Sequence, residues 1–392
     1  MAERDPDWHI VERYVADLRD GVEVDPEAVV AAHPEAGPAL RASLDAARTI
    51  AGLSRARAVE RYALALRPVA PARYERTSLL GRGGMGVVLR VHDASLGRDV
   101  AIKTLPPGPP QPPSADAAAG RTRVPLADPR DRDEARLRRE ARLTAALEHP
   151  GVPPVYEVGE SSGGTPYYAM RLVARDRRTL ATELARLEGR RFEARIPLLD
   201  AFLRVCDTVA YAHAKGIVHR DLKPANVVIG DYGVVFVVDW GLAKWRAHPE
   251  DEGVRPADDA EPLADDGDLG LTRKGSVLGT PGYLSPEAAT GNMSDVDERS
   301  EVFTLGVMLF EILTGRLPFR FATGREYAAQ VRSVEPPEAV ALDPAVPRSL
   351  SDLCHLALAR DRARRPPSVE ALASGIREWR ARSDAEREAL RL

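Results

Sequence analysis

Cysteine is almost missing from this chain: Cys206 and Cys354 are the only thiols in 392 residues. Two thiols do not build a disulfide framework, so a reducing, cytoplasmic setting is expected. Charge of one sign is lacking as well. The formal net charge is −4, and nothing in that balance points to a nucleic-acid partner. Long hydrophobic runs are also missing. The most apolar stretches, "VVFVVDWGLA" and "VFTLGVMLFEIL", are interrupted by Asp239 and Glu311. Neither reaches the ~18 residues of a membrane span. The opening "MAERDPDWHI" is too polar for a secretory leader. No internal repeat stands out. What is present is an apolar fraction of 44%, enough for a sizeable core, and a length that favours two or three domains over one.

Residues 1–70 read as helical. Ile10, Val11, Tyr14, Val15 and Leu18 fall on one face, with Gly21 suited to a helix end. Asp25 and Pro26 read as a cap followed by a first-turn proline. Leu40, Leu44, Ala47, Ile50 and Leu53 give a further stripe. From about Arg73 the texture changes to strand-like runs, and after about residue 195 it turns mostly helical. Two segments look inserted and mobile. Residues 106–130 are rich in Pro and Ala, and residues 248–270 are acidic and contain proline.

"LLGRGGMGVVLRV" sets Gly81, Gly83 and Gly86 between two strand-like runs. Glycines let a hairpin approach phosphates so that backbone N–H groups face oxygens. A dinucleotide fingerprint has the same spacing, but a helix follows it, whereas β-branched "VVLRV" continues here as a strand. A plain glycine hairpin is the other reading. "VAIK" ends a nearby apolar strand at Lys103. That lysine is either a simple strand end or a partner for the α- and β-phosphates. In the second case it needs a carboxylate. In "DEARLRREARLTAALEHP" a helix places Leu137, Ala141, Thr144 and Ala145 near one face, with Glu140 on the same side and Glu134 in the first turn. Glu140 is the candidate partner; the alternative is an ordinary solvated glutamate.

"VHRDLKPANVVI" concentrates unlike polar groups in one short loop. Asp221 can accept a proton from an incoming hydroxyl, and Lys223 can neutralise a phosphoryl group. Asn226 offers an amide oxygen to Mg²⁺, a hard cation that prefers oxygen ligands. Asp239 ends the apolar run "VVFVVD". Burying a lone carboxylate there calls for a counter-charge, from a metal ion or Lys103. A strand-end turn is the plain alternative.

In this order the motifs resemble the Hanks-type protein kinases over about residues 73–380. The carriers are the glycine loop, "VAIK", the inward Glu140, "HRDLKPAN", "DWG" and "GTPGYLSPE". "DLKPAN" is similar to the serine/threonine branch, and "GRGGMG", "DWGLAK" and "PGYLSPE" to its bacterial members. The resemblance implies an α+β bilobal fold. A small β-rich lobe with one helix (about 73–170) and a larger helical lobe (about 174–380) would follow the N-terminal helices and precede a tail at 381–392.

It also implies roles. Leu80, Gly81, Gly83, Gly86, Val88 and Ala101 would enclose ATP from above, and Val228 from below. Met170 would be the gatekeeper, with the backbone of Arg171, Leu172 and Val173 facing the adenine. Lys103 and Glu140 would form an ion pair. Asp221 would be the base, Lys223 the phosphate partner, and Asn226 and Asp239 the ligands of Mg²⁺ or Mn²⁺. Thr280 would bond Asp221 and Lys223, and Glu287 would pair with Arg365. Thr272, with Ser276 second, would be phosphorylated and held by Arg220.

Two residues depart from the pattern. Trp240 stands where a Phe is usual, and Glu301 where an Asp normally binds the catalytic-loop backbone. The implied activity is transfer of the ATP γ-phosphoryl to Ser or Thr of protein substrates, with a homodimer forming during autophosphorylation. A nucleotide-binding signalling scaffold with little catalysis is the rival reading.

Overall fold

The computed structural model describes residues 14, 25–32, 40, 41, 43, 44, 48, 73–83, 86–106, 129–161, 164–173, 178–245, 280–291 and 295–389. The chain divides into two compact units, Met1–Ala145 with Pro154–Arg177, and Ala146–Pro153 with Arg178–Leu392. Helix α1 (Pro26–Ala32) belongs to the first. The Asp25 carboxylate accepts from the Glu27 N–H at 3.2 Å, and Pro26 removes a first-turn donor that would have needed a partner. Of the other helical stripes expected over 1–70, Tyr14, Leu40 and Leu44 are helical and buried; most of the rest lies outside the described residues. So do the insertion at 248–270 and residues 107–128 of the insertion at 106–130.

The first unit is built on a five-stranded antiparallel sheet. Its strands are β1 (Tyr74–Gly83), β2 (Gly86–Asp93), β3 (Arg98–Thr104), β4 (Val155–Glu160) and β5 (Pro166–Arg171), in the order β1-β2-β3-β5-β4. The period of two separates its faces. Val87, Leu89, Val91, Val100, Ile102, Tyr167 and Ala169 form one buried cluster. On the other face lie Val88, Lys103, Tyr168, Ala101 and Met170, paired as Val88 with Lys103, Lys103 with Tyr168 and Ala101 with Met170. Helix α2 (Pro129–Ala146) packs on that second face through Leu137 and Ala141. Thr144 is buried with them, but Ala145, expected on the same stripe, is exposed. The two edge strands are tied together: Glu157 on β4 accepts from Tyr74 Oη at 2.5 Å and from Arg73 Nη1 at 2.7 Å. The sheet is therefore curled.

The second unit is mainly helical. It contains α3 (Leu180–Arg186), α4 (Phe192–Ala214), α5 (Glu298–Thr314), α6 (Gly324–Ser333), α7 (Ala339–Leu342), α8 (Arg348–Ala357) and α9 (Val369–Ala389). The short strands β6 (Ile217–Val218), β7 (Val227–Ile229), β8 (Val235–Val237) and β9 (Lys244–Trp245) pair as β6 with β9 and β7 with β8. Helix α9 runs through residue 380, where the tail was expected to begin. Helix α5 is apolar nearly all round, which marks an interior helix; Val302, Phe303, Leu305, Val307, Met308, Leu309, Phe310, Ile312 and Leu313 are all buried.

Its start is set by a reciprocal cap. Asp297 accepts from the Arg299 and Ser300 N–H groups at 2.9 and 3.1 Å, and Ser300 Oγ accepts from the Asp297 N–H. Its end is covered by Arg195 of α4, which donates to Ile312 O and Leu313 O, both at 2.8 Å, and pairs with Asp343. Burial pushes the Arg195 guanidinium below its usual range, and Asp343 opposes that.

The loop 146–153 joins the second unit through Gly151, whose carbonyl accepts from the Val237 N–H at 2.8 Å. A Cβ at Gly151 would collide with Thr208 Oγ1 on α4. Gly151→Ala should therefore lower unfolding stability by about 1–3 kcal/mol, the usual range for overpacking. Thr208→Ala in the same chain should recover part of it, as read by urea unfolding.

Candidate active site

In the first unit, the β1–β2 hairpin closes with Gly83 opposite Gly86. Leu80 is the extra residue of a bulge between the Leu79–Leu89 and Gly81–Val88 pairs. Gly86 has φ +133, and a Cβ there would lie 2.5 Å from Thr104 O, so glycine alone fits both its backbone and its neighbour. Lys103 Nζ sits 2.6 Å from Glu140 Oε1, with both residues buried. Tyr168 Oη donates to the same Glu140 oxygen at 2.8 Å. Glu140 is thus fixed from β3 and β5, whereas Glu134 pairs with Arg130 on its own helix. At the end of β5 the Arg171 N–H donates to Pro154 O at 3.1 Å. That donor is already used, so the expected adenine-facing backbone is narrowed to the Arg171 carbonyl, Leu172 and Val173.

In the second unit, the loop after β6 gathers the polar groups. Lys223 Nζ lies 2.9 Å from Asp221 Oδ2 and donates to Thr280 Oγ1 at 2.6 Å. The Thr280 hydroxyl in turn donates to Asp221 Oδ1 at 3.1 Å. Asn226 Nδ2 donates to Asp221 O at 2.8 Å and to Asp221 Oδ2 at 3.2 Å. With its nitrogen so committed, Asn226 has its amide oxygen left for a cation.

Asp239 is exposed, with φ 65. The burial expected from the apolar run before it does not hold. The chain turns into the left-handed region at the strand end and sets the carboxylate outward, so no buried charge has to be offset. An amide oxygen and an accessible carboxylate make an all-oxygen donor set, which fits a hard divalent cation. Among the described residues no group of three or more His, Cys, Asp or Glu could hold a metal. Val228 is on β7, half-buried, opposite Phe236.

Both departures from the resemblance have partners. Trp240 is buried; its indole N–H donates to Val237 O at 3.1 Å, and its ring lies 4.5 Å from that of His219. A phenylalanine could keep the ring contact but not the hydrogen bond. Glu301 accepts from the Arg220 N–H at 2.7 Å. Arg220 itself has φ 71. Glu287 meets Arg365 through two bonds, at 2.7 and 3.0 Å, and also accepts from Ser300 Oγ at 2.6 Å. Thr272 and Ser276 lie outside the described residues.

Three residues at the site were not singled out from the sequence. Tyr168 joins Glu140 only because strand register sets it opposite Lys103. His219 accepts from the Asp221 N–H through Nδ1 at 3.2 Å, and its Nε2 meets Val238 O at 3.2 Å. His213 contacts Glu301 at 2.6 Å. The signal for the first was the alternation of "YYAM", and for His219 its place at the head of "HRDLKPAN"; His213 carried none that distinguished it from an ordinary polar residue.

The protein kinase domain family matches residues 74–375. The serine/threonine-protein kinase PknD of Protochlamydia amoebophila is 32% identical over 80% of this chain and 30% of its own length. A probable serine/threonine-protein kinase of Streptomyces coelicolor is 35% identical over 74% of this chain and 37% of its own length. PknB of Mycobacterium tuberculosis is 36% identical over 63% of this chain and 33% of its own length. The chain spans about a third of the length of these relatives.

The Glu287–Arg365 pair carries a pH signature. Burial alone would raise the Glu287 carboxyl, but the hydrogen bond and charge of Arg365 bring it below its usual range. A lowered folded-state value gives stability above the unfolded value that is lost as pH falls through the folded one. Glu287→Gln should be less stable than the wild type by about 1.5–3 kcal/mol at neutral pH. The gap should close as the pH drops below the ordinary carboxylate range, as followed by urea unfolding at several pH values.

Proposed function

The chain belongs to the protein kinase family, and we propose that it transfers the γ-phosphoryl of ATP to Ser or Thr hydroxyls of proteins. The observation that carries the proposal is the Asp221–Lys223–Thr280 cluster. One threonine hydroxyl donates to the Asp221 carboxylate at 3.1 Å and accepts from the Lys223 ammonium at 2.6 Å. A substrate hydroxyl in a like position would donate its proton to Asp221 and attack from there, while Lys223 meets the charge on the phosphoryl group. Most of the catalysis is then positioning and electrostatic stabilisation.

Members of this family use ATP with a divalent metal. For this chain Mg²⁺ is the proposed ion, with Mn²⁺ as substitute, held by Asn226 and Asp239; it supplies charge neutralisation on the phosphates. The residues proposed for ATP are Gly81, Gly83, Gly86, Val88, Ala101, Lys103, the 171–173 backbone and Val228. Lys103, buried against Glu140 and Tyr168, is pre-set for the α- and β-phosphates. Phosphorylation of Thr272 or Ser276 by a second copy of the chain extends the same reading, with Arg220 as the phosphate's partner. Among the described residues no helix is long and apolar enough to cross a membrane.

The test is transfer of label from γ-labelled ATP to a generic protein acceptor with Mg²⁺ present. Wild-type chain should label the acceptor on Ser or Thr. Asp221→Asn and Lys103→Met should each lower the rate by at least ~100-fold with the fold intact, within the span assigned to general-base and positioning groups. Methionine retains most of the lysine stem, so near-wild-type labelling by Lys103→Met would overturn the assignment of that residue. Equal labelling by all three proteins would overturn the function.

A further inference from the structure

We infer that Tyr168 keeps hold of Glu140 when Lys103 turns toward nucleotide phosphates, so that ATP recruits the lysine without releasing helix α2. The role rests on the kinase reading, in which Lys103 meets the α- and β-phosphates. Glu140 Oε1 accepts from two donors, Lys103 Nζ at 2.6 Å and Tyr168 Oη at 2.8 Å. All three residues are buried, with Glu140 and Tyr168 each 2% exposed. An ionised carboxylate can only accept, so the phenol carries its proton and donates. Bonds of this charge-assisted kind are short and strong.

The two donors differ in what they can do next. Lysine carries its ammonium on a flexible four-carbon stem and has three protons to give. Tyr168 has a rigid ring, set in one buried cluster with Leu105 and with Leu137 and Ala141 of α2. Ring and hydroxyl therefore address the same helix, the first by packing and the second through Glu140. Lys103 and Tyr168 stand opposite each other on β3 and β5, so both reach Glu140 from the sheet face that α2 covers. Of the pair, only the lysine is built to move.

Phosphate oxygens compete with Glu140 for the Lys103 ammonium. Were that ammonium the one donor at Oε1, drawing it away would strand a buried acceptor, and the penalty would oppose nucleotide binding. Tyr168 removes the penalty, because Oε1 stays bonded while the lysine turns. Tyr168 is thus a positioning residue that acts through Glu140 and Lys103. The adjacent Tyr167 supplies the contrast. It belongs to the cluster on the opposite sheet face, and its hydroxyl donates to Glu157 Oε1 at 3.3 Å.

The test uses the full chain with Tyr168→Phe, which deletes the donor and keeps the ring, and Tyr167→Phe as its control. Binding of a non-hydrolysable ATP analogue with Mg²⁺, followed by calorimetry, should weaken by about tenfold in Tyr168→Phe and by less than about twofold in Tyr167→Phe. In labelling assays the KM for ATP should rise by about tenfold in Tyr168→Phe while kcat stays within about threefold, the pattern of lost uniform binding. In a Glu140→Gln chain, adding Tyr168→Phe should change the Kd by less than about threefold, because the buried charge is already gone. Amide hydrogen exchange over residues 137–144 reads the helix itself. Without nucleotide, Tyr168→Phe should exchange within about threefold of wild type; with the analogue bound, it should exchange about tenfold faster than wild type.

A Tyr168→Phe chain that binds the analogue as tightly as wild type overturns the inference. So does the same ratio of exchange rates with and without nucleotide, which would make the hydroxyl a fixed support of α2. Equal losses in Tyr167→Phe and Tyr168→Phe, or an undiminished effect in the Glu140→Gln chain, overturn it as well. If the wild type binds no ATP analogue and labels no acceptor, the kinase reading fails and the role of Tyr168 falls with it.

Discussion

A buried carboxylate has to find a donor for each oxygen, and in this protein that requirement organises the site. Glu301 lies inside the first turn of an apolar helix, where an unpaired acceptor would cost about 1–3 kcal/mol. One donor comes from a strained backbone, the Arg220 N–H, and the other from a neighbouring helix, His213. A left-handed residue with a side chain costs about 1–3 kcal/mol and needs more than one restraint. Arg220 has them on both sides. Glu301 holds its own N–H, and the residue after it is held by His219 and Asn226 through the Asp221 N–H and carbonyl. The same His219 meets Val238 O, and Asn226 O accepts from the Val238 N–H at 2.9 Å. Asp239, also left-handed, follows directly. The loop around Asp221 and the turn at Val238–Asp239 are therefore one bonded unit, and the left-handed residue in each is held beside the other.

The first unit meets a different constraint by a different means. A buried ammonium needs a buried carboxylate, and the two must come from elements that cannot drift. Lys103 stands on a central strand of a curled sheet whose edges are joined by Glu157, Tyr74 and Arg73. Glu140 comes from helix α2, packed on that sheet's second face, and Tyr168 holds it at the same oxygen. Apolar contacts orient the helix, and the polar triad sets the final ångström. This division of labour suits a group that must present its charge in one place.

Much of the site was legible in the sequence because its chemistry is local. Asp221, Lys223 and Asn226 fall within one short loop, and a motif of unlike polar groups in fixed order leaves few other readings. The α+β bilobal fold was implied by the resemblance; the change of texture after Arg73 marked only where the strands begin. What could not be read depends on register or on helix pairing. Tyr168 is one of two adjacent tyrosines, and only the pairing of β3 with β5 decides which faces Lys103. His213 and Glu301 are far apart in sequence and meet because two helices run antiparallel. Asp239 was misjudged for a physical reason. An apolar run predicts a buried strand, but the strand ends at Val237, and Asp239 lies beyond it with φ 65 and exposed, which no pattern of hydrophobicity records.

The two departures from the family pattern act in the same direction. At 301 the glutamate carboxylate takes a donor from α4 as well as the Arg220 N–H. Enlarging Phe to Trp at 240 adds an N–H that bonds Val237 O, three residues back at the end of β8. The first tightens the backbone before Asp221. The second tightens the backbone around Asp239. Between them stands His219, bonded to the Asp221 N–H on one side and packed against the Trp240 ring, tilted by 53° at 4.5 Å, on the other. Each substitution enlarges a side chain in a packed interior, which by itself would strain its surroundings. Each side chain is hydrogen-bonded to a neighbouring element, so its volume is accompanied by restraint. A loop that must keep two left-handed residues in register gains more from such restraint than it loses in packing freedom.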